Sequence, residues 1–329
     1  MTEREAALQA WLGERLGAED FKLRLLCGDA SFRRYFRVEG GSGERWIAMD
    51  APPEKEQSDT FVEIAERLAA HGLHVPRIHA KSLAQGFLLL EDLGSVHYLD
   101  ALDERSAGTL YGDALAALAT IQSCVPNADL PPYDRAMLMR EMALFREWLL
   151  ERMLGLSLDQ GEAAALDRIC ALLADNALAQ PTVCVLRDYH SRNLMVCDSA
   201  NPGILDFQDA VNGPVTYDLV SLLRDCYIAW PRARVRQWAW EYFDLACRSG
   251  ILRSADKPAF QRWFDLMGVQ RHLKAAGIFA RLDARDGKPG YLKDIPRTLE
   301  YVLQLEDEYP ELATLCRLIE RVLVALARV

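Results

Sequence analysis

The chain has 329 residues, half of them apolar, with 38 Lys and Arg against 48 Asp and Glu and a net charge of −10. That acidic balance excludes general binding to nucleic acid or to anionic membranes, because a polyanion meets net repulsion. No apolar run reaches the ~18 residues of a membrane span, and the eight cysteines form no CxxC pair, so they read as reduced thiols of a cytoplasmic protein rather than disulfides or a zinc site.

The length allows two domains. MTEREAALQAWLGERLG opens the chain as a charged amphipathic helix rather than a targeting segment. Lys22 to Cys27 alternates as a strand, Gly28-Asp29-Ala30-Ser31 turns, and Tyr35 to Val38 resumes. After the turn Gly40-Gly41-Ser42-Gly43, Trp46 to Met49 supplies a third strand, which predicts an antiparallel meander. Ser58 to His71 sets Phe61, Ile64, Ala65 and Leu68 on one helical face and stops at Gly72, with Pro76 beyond. Phe87 to Leu90 is a further strand, ending in Glu91-Asp92-Leu93-Gly94. From Val96 the period becomes helical: Ser106 to Ser123, Asp134 to Leu154, Gly161 to Leu178, Asp218 to Trp230, Arg234 to Ser249, Lys257 to Arg281, Asp294 to Glu308 and Pro310 to Arg328. Strands first and helices afterwards predict a bilobal α+β chain. Its small antiparallel β lobe takes residues 1–93, its larger, mainly helical lobe takes 94–329, and a cleft lies at the hinge.

One stretch breaks the helical run. Thr182 to Leu186 and Leu194 to Cys197 are short β-branched runs, and Asn201-Pro202-Gly203 turns the chain before Ile204-Leu205-Asp206. Asp188, Asn193 and Asp206 then sit at strand ends. A loop between strands can aim one carboxylate at a substrate hydroxyl, while an amide and a second carboxylate present oxygens to Mg²⁺. The plain alternative for Asp188 is a carboxylate capping its own turn.

A small β lobe, the passage FLLLEDLG (87–94), then RDYHSRN (187–193) and LDFQDA (205–210) in a helical lobe resemble the aminoglycoside phosphotransferase and choline kinase family, over nearly the whole chain. The resemblance implies a protein-kinase-like fold, an ATP-dependent small-molecule kinase, Asp188 as catalytic base or orienting carboxylate, and Asn193 and Asp206 as ligands of Mg²⁺. It implies that backbone around Gly28, Ser31 and Phe32 covers phosphate, with Arg33 or Arg34 adding charge; an ordinary turn is the alternative. It also implies that Leu90, Glu91 and Leu93 meet a purine edge, walled by Leu88, Leu90 and Ile47. Gln208 and Asp209 follow the metal carboxylate closely enough to meet substrate hydroxyls. Asp218 reads as an N-cap that also ties the loop down.

The chain departs from the family pattern twice. Leu186 stands where the family commonly has His, and His190 is the nearby residue that could take over part of its role. Met49 stands where a kinase-like third strand carries a phosphate-pairing Lys. Either Asp50 marks a shifted register, or Arg34 or Arg37 approaches from the adjacent strand, and Glu63 or Glu66 takes another partner. Met49 also leaves open a non-catalytic binding module.

The segments VQRHLKAAGIFARL, RDGKPGYL and IPRTLEY resemble a bacterial branch that phosphorylates the C1 hydroxyl of N-acetylmuramate and N-acetylglucosamine during peptidoglycan recycling. On the helix bearing the first, Arg271, Lys274 and Arg281 fall within roughly 80° of one another. That stripe is either a cradle for a substrate carboxylate or an ordinary charged face. Trp230 and Trp263 could stack on a sugar or simply fill the core. An aminoglycoside would favour an acidic acceptor pocket, and choline an aromatic cage. The expected partner is thus a small amino sugar, met by a monomer.

Overall fold

The Thr2 hydroxyl oxygen accepts the Glu5 amide and the Glu5 carboxylate accepts the Thr2 amide, so a capping box starts helix α1, Glu3–Leu16. The computed structural model describes residues 2–17, 20–28, 32–41 and 43–328. It continues with strands β1 (Phe21–Gly28), β2 (Arg34–Gly40) and β3 (Arg45–Asp50), helix α2 (Ser58–Ala70), and strands β4 (Ile78–Ser82) and β5 (Phe87–Glu91). Then come α3 (Tyr98–Ala101), α4 (Ala107–Cys124), α5 (Arg135–Leu144) with a π-helical continuation over Phe145–Met153, and α6 (Gln160–Leu178). The short strands β6 (Thr182–Val185), β7 (Leu194–Met195), β8 (Gly203–Ile204) and β9 (Val211–Pro214) follow. Helices α7 (Tyr217–Leu223), α8 (Arg232–Arg248), α9 (Lys257–Asp286), α10 (Ile295–Leu303) and α11 (Ala313–Leu326) close the chain. No described helix is long and apolar enough to cross a membrane.

The chain divides into two units, residues 1–96 with 194–209, and residues 97–193 with 210–329. In the first, one antiparallel sheet has the order β1-β2-β3-β5-β4. Leu8, Trp11 and Leu12 of α1 pack on Phe36, Val38, Ala48, Phe87 and Leu89. Each such fully buried side chain contributes roughly 1.5–3 kcal/mol. Strand alternation turns Arg37, Ile47, Met49, Leu88 and Leu90 to the opposite face, since Arg37 pairs with Ile47, Ile47 with Leu90 and Met49 with Leu88. The β7–β8 hairpin belongs to this unit: the Ile204 amide donates to the His74 carbonyl at 2.8 Å, and Phe207 lies 5.0 Å from Phe61 between ring centroids. At Gly203 the packing is close: a Cβ would stand 2.9 Å from Leu93 Cδ1 and 3.0 Å from Cys197 Sγ, so those side chains would have to shift.

In the second unit α9 is buried along most of its length and packs on α5, α6, α7 and α10. Strand β6 pairs antiparallel with β9, which joins Val185 to Val211. Two expected helices differ. The one over Asp134 to Leu154 changes to π geometry at Phe145, where Gly277 of α9 lies so close that a Cβ would fall under 3.0 Å from the Leu144 carbonyl carbon and the Phe145 nitrogen. The one over Asp218 to Trp230 ends at Leu223, because Asp225 accepts the Tyr227 amide at 2.9 Å and turns the chain.

Candidate active site

The loop after β6 is held from below by one carboxylate. Asp218 Oδ2 accepts the Leu186 amide at 2.7 Å and Oδ1 accepts the Arg187 amide at 2.9 Å. Asp218, expected as the N-cap, lies inside the first turn of α7, whose N-cap is Thr216. Burial pushes the Asp218 carboxyl up to about 7 against the pull of the two amides. Arg187 takes a left-handed backbone, φ 74°, and its carbonyl accepts from Ser221 Oγ at 3.2 Å. Strain of this kind persists where surrounding bonds over-determine it. It directs the chain into Asp188.

From Asp188 to Asn193 the backbone folds on itself. The Asp188 carbonyl accepts the His190 amide at 3.1 Å and Asn193 Nδ2 at 3.0 Å. The Ser191 amide donates to Asp225 Oδ2 at 2.9 Å, and the buried Tyr189 hydroxyl donates to the Ala114 carbonyl at 2.8 Å. The Asp188 side chain stays 43% exposed, 4.0 Å from His190 Nε2. Burial alone would raise its carboxyl, but Lys274, His190, Arg271 and Arg187 hold it below the usual carboxylate range. His190 is buried and edge-on to Tyr227 at 5.4 Å, and burial lowers its pKa against the pull of Asp225 and Asp188. Leu186 is buried, and its amide is among those on Asp218.

Behind this loop lies a polar network that sequence periodicity did not reveal. Glu141 on α5 accepts from Arg187 at 2.6 Å, from the Tyr133 hydroxyl, and from Lys274 at 3.1 Å. Lys274 also donates to the Tyr217 hydroxyl at 2.8 Å. Lys274, Arg271 and Glu141 are all buried. Burial would raise Glu141, yet Lys274 and Arg187 hold it low. The stripe on α9 therefore divides: Arg271 and Lys274 act on Asp188, whereas Arg281 is half-exposed and acts elsewhere. The signal for Glu141 was a charged residue among Leu138, Met142 and Phe145 on the buried helix face. Trp230 stands edge-on to Tyr111 and Trp238 and donates to the Tyr111 hydroxyl at 2.9 Å, a core arrangement. The Trp263 carbonyl accepts from Asn176.

In the other unit Asp206 has φ 58°, and Gln208 Nε2 donates to its Oδ1 at 2.7 Å. Gln208 is buried and Asp209 exposed. Leu90 is buried, while Glu91 bonds Arg77 through its amide at 2.8 Å and through its carboxylate at 3.2 Å. Leu93 is half-buried. On the Met49 face Arg37 forks onto Asp92 at 2.7 and 3.0 Å and reaches the Gly94 carbonyl at 2.7 Å. Arg34 lies on the opposite face, bonded to Asp50 at 2.6 Å and Glu5 at 2.8 Å. Asp50 is fully buried between Arg34 and Arg4. Arg33 pairs with Glu56 at 3.1 Å, and Phe32 is 62% exposed with its amide on the same Glu56. Gly28 pairs with Arg34 at the end of β1, and Ser31 lies outside the described residues. Both arginines expected to charge that turn are thus engaged by carboxylates. Glu63 bonds Arg67 and Glu66 bonds Lys81, each at 2.9 Å.

Among the described residues no cluster of three or more His, Cys, Asp or Glu could hold a metal by itself. Asn193 and Asp206 each carry a side-chain oxygen of the kind a hard cation takes.

A family model described as a phosphotransferase enzyme family matches residues 22–251. The chain is 47% identical over 332 residues to an N-acetylmuramate/N-acetylglucosamine kinase of Pseudomonas putida, covering 97% of each. It is 49% identical over 291 residues to a protein of the same name from Pseudomonas aeruginosa, covering 88% of this chain and 86% of that one. Its fold is similar to that of the choline kinase LicA of Streptococcus pneumoniae, with a TM-score of 0.65 and 12% identity over 91% of this chain and 99% of the other.

Proposed function

We propose, from the premise that the chain belongs to the phosphotransferase enzyme family, that it moves the γ-phosphoryl group of ATP to the C1 hydroxyl of N-acetylmuramate and N-acetylglucosamine. The observation that carries the sugar assignment is the near full-length likeness to the Pseudomonas putida kinase of those two sugars. The chemistry is supported by a loop carboxylate held ionised by cations around it.

Residues 1–93 take the nucleotide, with its adenine edge at Leu90, Glu91 and Leu93 and its phosphates under backbone near Gly28 and Phe32. Residues 94–329 take the sugar. Asp188 accepts or orients the proton of the attacking hydroxyl; its low pKa keeps it ready to do so at neutral pH. Asn193 and Asp206 hold Mg²⁺, which when bound neutralises charge on the phosphate oxygens. His190, Gln208 and Asp209 meet sugar hydroxyls. Since Arg33, Arg34 and Arg37 are all engaged by carboxylates, Asn193 and Asp206 would hold the ion whose charge would stand in for the third-strand Lys that Met49 replaces. Positioning does the rest of the work.

The test is ATP consumption with Mg²⁺ across N-acetylmuramate, N-acetylglucosamine, aminoglycosides and choline. Turnover is expected on the two N-acetyl sugars. Turnover on an aminoglycoside or choline alone overturns the sugar assignment, and bound ATP with no turnover on any acceptor favours a binding module. Asp188→Asn should lower kcat by roughly 10²- to 10⁴-fold with nucleotide affinity nearly intact; normal turnover in that variant removes Asp188 from the role.

A further inference from the structure

Among the described residues, Arg33, Arg37, Arg224 and Arg271 are the arginines classed as buried, none more than 7% exposed. The first three each hold a carboxylate: Glu56 at 3.1 Å, Asp92 at 2.7 Å, and Asp265. Among the described residues Arg271 holds none within 4.0 Å, and its hydrogen bond goes to the Cys226 thiol at 3.5 Å. Asp188 and Asp225 act on it only from farther away, and both Asp225 oxygens are bonded to the amides of Ser191 and Tyr227. Lys274, one helical turn on, differs: Glu141 and Tyr217 already partner it.

A buried guanidinium without a carboxylate is costly. Its planar fork is matched to a carboxylate arriving from outside. We propose that Arg271 receives the carboxylate of an acidic sugar acceptor, so that Arg271, and not Lys274, is the cation that determines acceptor specificity. The inference rests on the sugar reading above. N-acetylmuramate carries such a carboxylate and N-acetylglucosamine does not. The more distant Asp188 and Asp225 support the Arg271 charge when no anion is present, which lets one site take both sugars. A cation serving the transferring phosphoryl group would instead act alike on both.

The experiment is steady-state kinetics of wild type, Arg271→Met and Arg271→Lys on the two sugars, with thermal melts to verify folding. The ratio of kcat/KM for N-acetylmuramate over N-acetylglucosamine is expected to fall roughly 10- to 100-fold in Arg271→Met, chiefly through KM for the acid, and to recover partly in Arg271→Lys. An unchanged ratio, including an equal loss on both sugars, overturns the proposal. Should Arg271→Met not fold, wild type is assayed on the carboxamide of N-acetylmuramate: a KM well above that of the acid supports the proposal, and equal KM values overturn it. If wild type phosphorylates neither sugar, the sugar reading falls and this inference with it; if wild type accepts both and the ratio holds in Arg271→Met, only this inference falls.

Discussion

The Arg187 guanidinium meets the Glu141 carboxylate at 2.6 Å, which ties the residue immediately before Asp188 to helix α5. Glu141 also receives Lys274, so one buried carboxylate orders two of the cations that hold Asp188 ionised. Removing one partner of a buried ion pair leaves uncompensated charge and costs about 3–5 kcal/mol. Glu141→Ala is therefore expected to lower stability by about that amount in denaturant unfolding. Adding Lys274→Met should restore part of the loss, because one of the two stranded cations goes with it. Strictly additive losses would show that the pair is not coupled.

Asp218 makes loop stability pH-dependent with a sign opposite to that of Asp188. Its folded-state pKa of about 7 lies above that of an unfolded aspartate, because burial outweighs the Leu186 and Arg187 amides. The folded chain then binds more protons than the unfolded chain between those two values, so stability falls as pH rises through the window. Asp218→Asn removes that titration. The stability of wild type relative to Asp218→Asn should fall from about pH 4 to about pH 7 and stay level above. Paired unfolding curves across that range check it, and a flat or rising difference contradicts it.

The alternation of Lys22 to Cys27, the short apolar runs of β2, β3 and β5 between turns, and the period of 3.6 in the later helices made the α+β architecture readable from the chain. Strand β4 escaped because its residues alternate only between half-buried and exposed. Strand β9 escaped because Val211-Asn212-Gly213-Pro214 has the composition of a turn, and only its pairing with β6 makes it a strand. Asp188 and Asn193 were legible as polar residues between apolar runs. What periodicity could not supply was the partner across a helix interface: it put Arg271 and Lys274 on one face, but whether a carboxylate stands opposite depends on where α5 places Glu141. Nor could it say that Arg37 shares a face with Met49 while Arg34 does not, since that follows from the pairing of Tyr35 with Met49.

Gly277 sets how closely α9 approaches the junction of α5 and its π-helical continuation. Both sides of that contact are backbone, so an added methyl has no flexible side chain to displace. Gly277→Ala should cost about 1–3 kcal/mol by overpacking, despite the better helix propensity of Ala. Because α5 carries Glu141 and α9 carries Lys274, activity should fall as well. A melting temperature at or above that of wild type would show that the helices part without loss.

Asp206 reaches its left-handed backbone, φ 58°, without glycine, and Gln208 donates to one of its oxygens. Asparagine tolerates the same backbone, so Asp206→Asn changes the charge and little of the chain path. If Asp206 is a metal ligand, the variant should need roughly tenfold or more Mg²⁺ for half-maximal activity and bind ATP more weakly in the presence of the metal, while ATP binding measured with the metal chelated stays as in wild type. The chelated measurement separates loss of a metal ligand from damage to the nucleotide pocket, which would weaken binding under both conditions. A Mg²⁺ titration of turnover that superimposes on wild type removes Asp206 from the metal site and leaves its carboxylate with the structural role of holding Gln208.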